Sequence, residues 1–148
     1  KGGQIPEYLA RKKAEAFNQE LEDKEIVITA DTVVWVNNQA LNKPESNAVA
    51  KKMLEELSCT THSVFTGVCL KTKNKTHSFF EETKVSFNTL TSEEIDFYLR
   101  NYKPLDKAGA YGIQEFIGLI GIQKVEGDFY NVVGFPVQRF WRELPSVL

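Results

Sequence analysis

A run of apolar and β-branched residues, Ile26-Val27-Ile28-Thr29-Ala30, leads directly into an acid, Asp31, and a second such run, Thr32-Val33-Val34, leaves it. An uninterrupted stretch of this kind reads as a strand buried on both faces. That commits the chain to a sheet with layers packed against it. Open α/β sheets gather ligands just outside the carboxyl ends of their strands. Asp31 therefore stands where a working carboxylate is placed. The same position also suits an acid that merely caps the strand, and position alone does not choose between the two.

The chain has 148 residues, which favours a single domain over 1–148 with a sizeable core. Hydrophobic residues are 42% and charged residues 26%, the balance of an ordinary globular protein. A net charge of -2 gives no general attraction to nucleic acid or to a membrane, so any anion site has to be a local group of lysines or arginines. No apolar run approaches the length of a membrane span. Two cysteines, Cys59 and Cys69, are too few for a disulfide framework and point to a reducing, cytoplasmic setting. The first residue is Lys1 and the one methionine is Met53, so the chain is expected to be incomplete at its amino end.

Helical spacing predicts a first helix from about Pro6, with Leu9, Ala10, Ala14, Phe17 and Leu21 on its apolar side. Strands Ile26–Ala30 and Val33–Val36 follow, then a tight turn at Asn37-Asn38. Ser46 suits the cap of a helix reaching about Leu57. Alternation through His62, Val64, Thr66, Val68 and Leu70 predicts a strand, and Lys73-Asn74-Lys75 turns it into an antiparallel return through Phe79, Val85 and Phe87. Thr91-Ser92-Glu93-Glu94 is a capping box, and Pro104 closes the helix it opens. Strands are expected around Leu119–Val125 and Tyr130–Val133, and a last helix after Pro136. Hairpins among helices argue for a mixed sheet rather than a purely parallel one.

The chemistry available is that of carboxylates and lysines. Lys13, Lys43 and Lys107 are point charges suited to phosphate oxygens, although a single lysine is more often just solvated. Lys107 adjoins a loop of small residues, Ala108-Gly109-Ala110-Tyr111-Gly112, that lets a ligand approach the backbone. Its glycine spacing matches neither a Walker A loop nor a dinucleotide fingerprint. Gln114, at the end of that loop, offers both donors and an acceptor to a base edge, or is a plain surface amide. Thr32 either bonds a ligand or serves as a β-former. His62 and His77 lack metal-ligand spacing, and no nucleophilic triad presents itself. Carboxylate and lysine groups suit metal-assisted phosphoryl or nucleotidyl transfer.

Six stretches, in order along nearly the whole chain, resemble the Maf family of septum-formation-inhibitor-like nucleotide pyrophosphatases. They are Ala30-Asp31-Thr32-Val33-Val34, Asn42-Lys43-Pro44, Met53-Leu54-x-x-Leu57-Ser58, His62-x-Val64-x-Thr66-Gly67-Val68, Asp106 to Gln114, and Gly127-Asp128-x-Tyr130-Asn131-Val132-Val133-Gly134-Phe135-Pro136. The resemblance implies an α/β fold with a long, twisted, mixed sheet flanked by helices, related to inosine triphosphatase-like enzymes. It implies hydrolysis of a nucleoside triphosphate, dTTP or UTP or a modified nucleotide, to the monophosphate and pyrophosphate, with a divalent cation (Mg²⁺ or Mn²⁺), in a cytoplasmic homodimer. Asp31 matches the catalytic carboxylate, a general base and metal ligand. Lys13 and Lys43 match lysines facing the phosphates, with Lys107 a further substrate contact. Thr32 and Gln114 match positions of base selectivity, and their pairing resembles the branch acting on dTTP and UTP. Asp106 is either a second metal ligand or, the favoured reading, a cap for its loop. The family opens with a strand and a Ser-x-Ser-Pro-Arg-Arg loop, which this sequence does not contain. The competing expectations are a non-catalytic nucleotide-binding regulator of cell division and an inert structural fragment. Nucleic-acid binding is disfavoured because no basic stripe with aromatics is present.

Overall fold

The computed structural model describes residues 2–148. Its elements are α1 (Gln4–Ala16), β1 (Val27–Val36), β2 (Gln39–Leu41), α2 (Asn47–Leu57), β3 (Thr61–Lys71), β4 (Thr76–Phe87), α3 (Ser92–Tyr102), α4 (Phe116–Gly121), β5 (Ile122–Glu126), α5 (Phe129–Val133) and α6 (Val137–Glu143). The class is α/β, with one sheet in the order β2-β1-β3-β4-β5. Its strands are antiparallel, where a mixed sheet was expected. The outer pairs show this in their registers, Val36↔Gln39 for β1 with β2 and Val85↔Val125 for β4 with β5. No helix among the described residues is long and apolar enough to cross a membrane.

The largest correction concerns β1. The two short strands predicted on either side of Asp31 are one continuous ten-residue strand, Val27–Val36. Asp31 lies inside it, not at its mouth. Nor is the strand buried on both faces: its first six positions are only partly covered, and Ile28 is exposed. An antiparallel strand with a solvated side accepts an acid in mid-run, which a doubly covered parallel strand would not. The turn at Asn37 and Asn38 forms as expected, both residues at positive φ (48° and 60°) as a two-residue hairpin requires.

Two short apolar runs were misread. Residues 116–121 form α4 before β5 begins, and residues 129–133 form α5 instead of a strand. Asp128 decides the second case, because its side chain accepts the Tyr130 N–H at 2.8 Å and caps a helical turn. The first helix ends at Ala16, short of Leu21.

The chain divides into two compact units. One comprises the chain up to Thr32, Phe65–Glu82 and Asp128–Leu148. In it, Ala10 and Ala14 of α1 pack on Cys69 of β3. The helix sits so close that a Cβ on Gly67 would lie 2.2 Å from the Glu7 nitrogen, so only glycine fits there. Val68, Leu70 and Phe79 point the other way and pack with Val147, Ile26, Ala30, Phe135, Phe140 and Leu144. Alternation along β3 thus separates an α1 face from an α5–α6 face.

The second unit comprises Val33–Val64 and Thr83–Gly127. Ser46 caps α2 through the Val49 N–H at 3.2 Å, and α2 buries Ala50, Leu54 and Leu57. The capping box of α3 is complete, with Thr91 and Glu94 bonding reciprocally. A salt bridge of 2.8 Å joins Lys51 to Asp96. The small-residue loop is a 3-10 turn at Ala108–Ala110, with Gly109 at φ +69° against Val34.

Candidate active site

The first unit brings two of the sequence candidates together. Lys13, in the last turn of α1, donates to Asp31 Oδ1 at 2.7 Å and to the Ala30 carbonyl at 2.9 Å. α1 is held in place by its close seat on Gly67 and by Thr29, whose hydroxyl donates to the Ala10 carbonyl at 2.6 Å. Thr29 and Asp31 are two apart on β1, so both face α1. The Lys13 side chain is 52% exposed and that of Asp31 23%. An ion pair this open to water adds little stability. Its short, charge-assisted bond instead fixes the carboxylate's orientation. Asp31 Oδ2 and the third Lys13 donor have no partner among the described residues.

Thr32 points to the opposite side of the strand. Its hydroxyl lies 2.8 Å from Thr66 Oγ1, and Thr66 in turn donates to the Asn131 carbonyl of α5 at 3.1 Å. Its hydroxyl is therefore turned away from the Lys13–Asp31 contact.

Lys43, Lys107 and Gln114 belong to the second unit. Lys43 is exposed and follows Asn42, whose carbonyl accepts the Gly109 N–H at 3.4 Å. That bond ties the Lys43 segment to the small-residue loop. Lys107 lies 3.8 Å from Glu115 and 3.6 Å from Asp106, a loop-internal arrangement in keeping with Asp106 as a loop acid. Gln114 is exposed.

Glu115 was missed by the sequence reading. Tyr98 donates to its Oε1 at 3.0 Å and accepts the Gly112 N–H at 3.1 Å, which pins the loop to α3. Burial pushes the Tyr98 phenol up, so it stays protonated and able to donate. A tyrosine on the buried face of α3 needs a partner for its hydroxyl, and that need was the available signal. A second buried pair joins His62 Nε2 to the Tyr111 hydroxyl at 2.6 Å. Burial lowers the His62 imidazole to about 4 and raises the Tyr111 phenol.

Mg²⁺ is usually held by one or two carboxylates together with substrate phosphates. Asp31 Oδ2 suits that arrangement. Among the described residues no group of three or more His, Cys, Asp and Glu could form a protein-only cage.

The family model for Maf-like proteins matches residues 2–147. The chain belongs to the Maf-like family. Its relatives include a dTTP/UTP pyrophosphatase of Bacteroides thetaiotaomicron, 48% identical over 146 residues, covering 99% of this chain and 76% of that protein. A protein of the same name from Flavobacterium psychrophilum is 51% identical over 138 residues, covering 93% and 71%. Another, from Porphyromonas gingivalis strain ATCC 33277, is 51% identical over 142 residues, covering 95% and 71%.

Proposed function

We propose that this Maf-like protein is a nucleoside triphosphate pyrophosphatase that hydrolyses dTTP and UTP. Water attacks the α-phosphorus, the bond from that phosphorus to the oxygen bridging to the β-phosphorus breaks, and the products are the monophosphate and pyrophosphate. The single observation that carries the reading is the oriented Lys13–Asp31 pair, in a chain about half identical to relatives bearing that name. Asp31 Oδ2 accepts the proton of the attacking water, while Lys13 holds Oδ1 and fixes the carboxylate. The third Lys13 donor is available to a phosphate oxygen, where positive charge stabilises the leaving pyrophosphate. A bound divalent cation would supply further neutralisation of phosphate charge. Lys43 and Lys107 are assigned to the phosphates and Gln114 to the base edge, on the strength of the family motifs. The same reading carries a cytoplasmic homodimer with no nucleic-acid or membrane partner.

Pyrophosphate release from a panel of nucleotides, with Mg²⁺ or Mn²⁺, tests this. Release from dTTP and UTP ahead of purine nucleotides is the expected result. Nucleotide binding without any release would overturn it in favour of a binding regulator.

A further inference from the structure

Gln114, the residue assigned to the base edge, is placed by bonds made on either side of it. The Glu115 N–H donates to the Gly112 carbonyl at 3.0 Å, which closes a turn over Ile113 and Gln114. Ile113 is 5% exposed and Gln114 is open to solvent, so the turn buries one central side chain and presents the other. The Tyr98 hydroxyl reaches both corners of this turn. A hydroxyl has one proton and two lone pairs. This one accepts the Gly112 N–H at 3.1 Å and gives its proton to Glu115 Oε1 at 3.0 Å.

Two glycines complete the frame. A Cβ on Gly112 would run into the Glu115 carboxylate and come within 2.9 Å of the Lys107 stem, so the carboxylate lies directly over that backbone. A Cβ on Gly118 would collide with the Ile113 carbonyl, so α4 seats directly on the turn. The Glu115 carbonyl also accepts the Gly118 and Leu119 N–H groups at 3.0 and 3.2 Å. Glu115 thus joins the turn to α4 through its backbone and to α3 through its side chain.

A carboxamide sets a donor beside an acceptor. It complements the acceptor and donor that thymine and uracil present and, turned over, the reversed pair that cytosine presents. Preference for one pair therefore depends on where the stem of Gln114 is held. We propose that Tyr98 and Glu115 are positioning residues for Gln114, and that their bracket sets the preference for a thymine or uracil base over a cytosine base. This rests on the pyrophosphatase reading, with Gln114 at the base.

Four variants test the assignment: Tyr98→Phe, Glu115→Ala, Glu115→Gln and Gln114→Ala. Tyr98→Phe is expected to lower the dTTP-to-dCTP ratio of kcat/KM about 10-fold, within the discrimination that a paired base edge supplies. The loss falls on the KM for dTTP, with kcat retained. Glu115→Ala reproduces it. Glu115→Gln keeps an oxygen for the Tyr98 proton and keeps the ratio. Gln114→Ala lowers the ratio as far, and adding Tyr98→Phe to it lowers the ratio no further. Amide hydrogen exchange at residues 112 and 115 quickens in Tyr98→Phe and Glu115→Ala. A ratio that falls in Gln114→Ala but holds in Tyr98→Phe and Glu115→Ala would overturn the bracket and leave Gln114 at the base. A ratio unchanged in Gln114→Ala would remove Gln114 from the base, and this assignment with it. Should the unaltered protein release no pyrophosphate from any nucleotide, the pyrophosphatase reading fails by itself. Exchange then decides the bracket: unchanged rates in both variants overturn it, and faster rates in both support it.

Discussion

The Lys13–Asp31 pair of the first unit and the buried hydroxyl contacts of the second are arranged on opposite terms. In the first unit, Lys13 and Asp31 are charged, close and open to water. In the second, His62 with Tyr111, and Tyr98 with Glu115 and Gly112, are neutral or buried hydroxyl contacts that hold a loop. An exposed ion pair contributes little to folding but remains available to a ligand. A buried, satisfied hydroxyl contributes to order, and losing one partner leaves the other stranded at full cost. On the proposed function, chemistry and rigidity fall to different residues, which makes them separable by mutation.

The sharpest way to break this contrast is Asp31→Asn. It should lower turnover by about two to four orders of magnitude, the contribution of general-base catalysis, and cost less than about 1 kcal/mol of stability. Steady-state kinetics beside a denaturant titration checks both halves, and an appreciable fall in stability would erase the distinction.

The next effect belongs to His62, whose side chain is 2% exposed. Its imidazole is held at about 4 by burial, below the ordinary value of 6.5, so the unfolded chain takes up the proton first as pH falls. Stability from this group is complete above about pH 6.5 and is lost progressively toward pH 4, by about 3 kcal/mol in all. Denaturation midpoints at pH 7, 5.5 and 4.5 measure it. An imidazole resonance titrating near 6.5 would show that His62 is not held in this way.

Tyr98→Phe should cost about 1–3 kcal/mol, because it strands the Gly112 N–H and a Glu115 oxygen together. Hydrogen exchange should rise over residues 106–115 while Lys13 and Asp31 stay paired. A smaller effect, about 1 kcal/mol, is expected for Thr91→Ala, which opens the capping box of α3. Equal losses from the two would mean that the buried phenol is worth no more than an exposed cap.

Elements with strong local signals were legible in the sequence. Ser46, the Thr91–Glu94 box and Asn37-Asn38 each specify their own backbone, and each forms as expected. The short apolar runs at 116–121 and 129–133 were not, because a run of five or six apolar residues fits a strand or a buried helix equally. Asp128 and Gly134 bracket the second run as cap and terminator, and they were the signal that distinguishes the two. At the site, Asp31 and Lys13 were each singled out, but their pairing required α1 to lie against β1. The Thr66 bond to Asn131 joins residues 65 apart, beyond any local pattern. The placement of Asp31 was misjudged for a related reason: whether a strand ends at an acid depends on which neighbours pair with it.

The missing side chain at Gly67 has one more consequence. A methyl group there would meet the backbone of α1 near Glu7, about six residues and some 9 Å of helix before Lys13. The helix acts as a lever with its fulcrum at that contact, and its far end carries the ammonium group. A tilt of ten degrees about the fulcrum would displace the Lys13 backbone by roughly 1.5 Å over that length, against a contact of 2.7 Å to the carboxylate. The alignment of the charged pair is thus calibrated at a position that bears no charge.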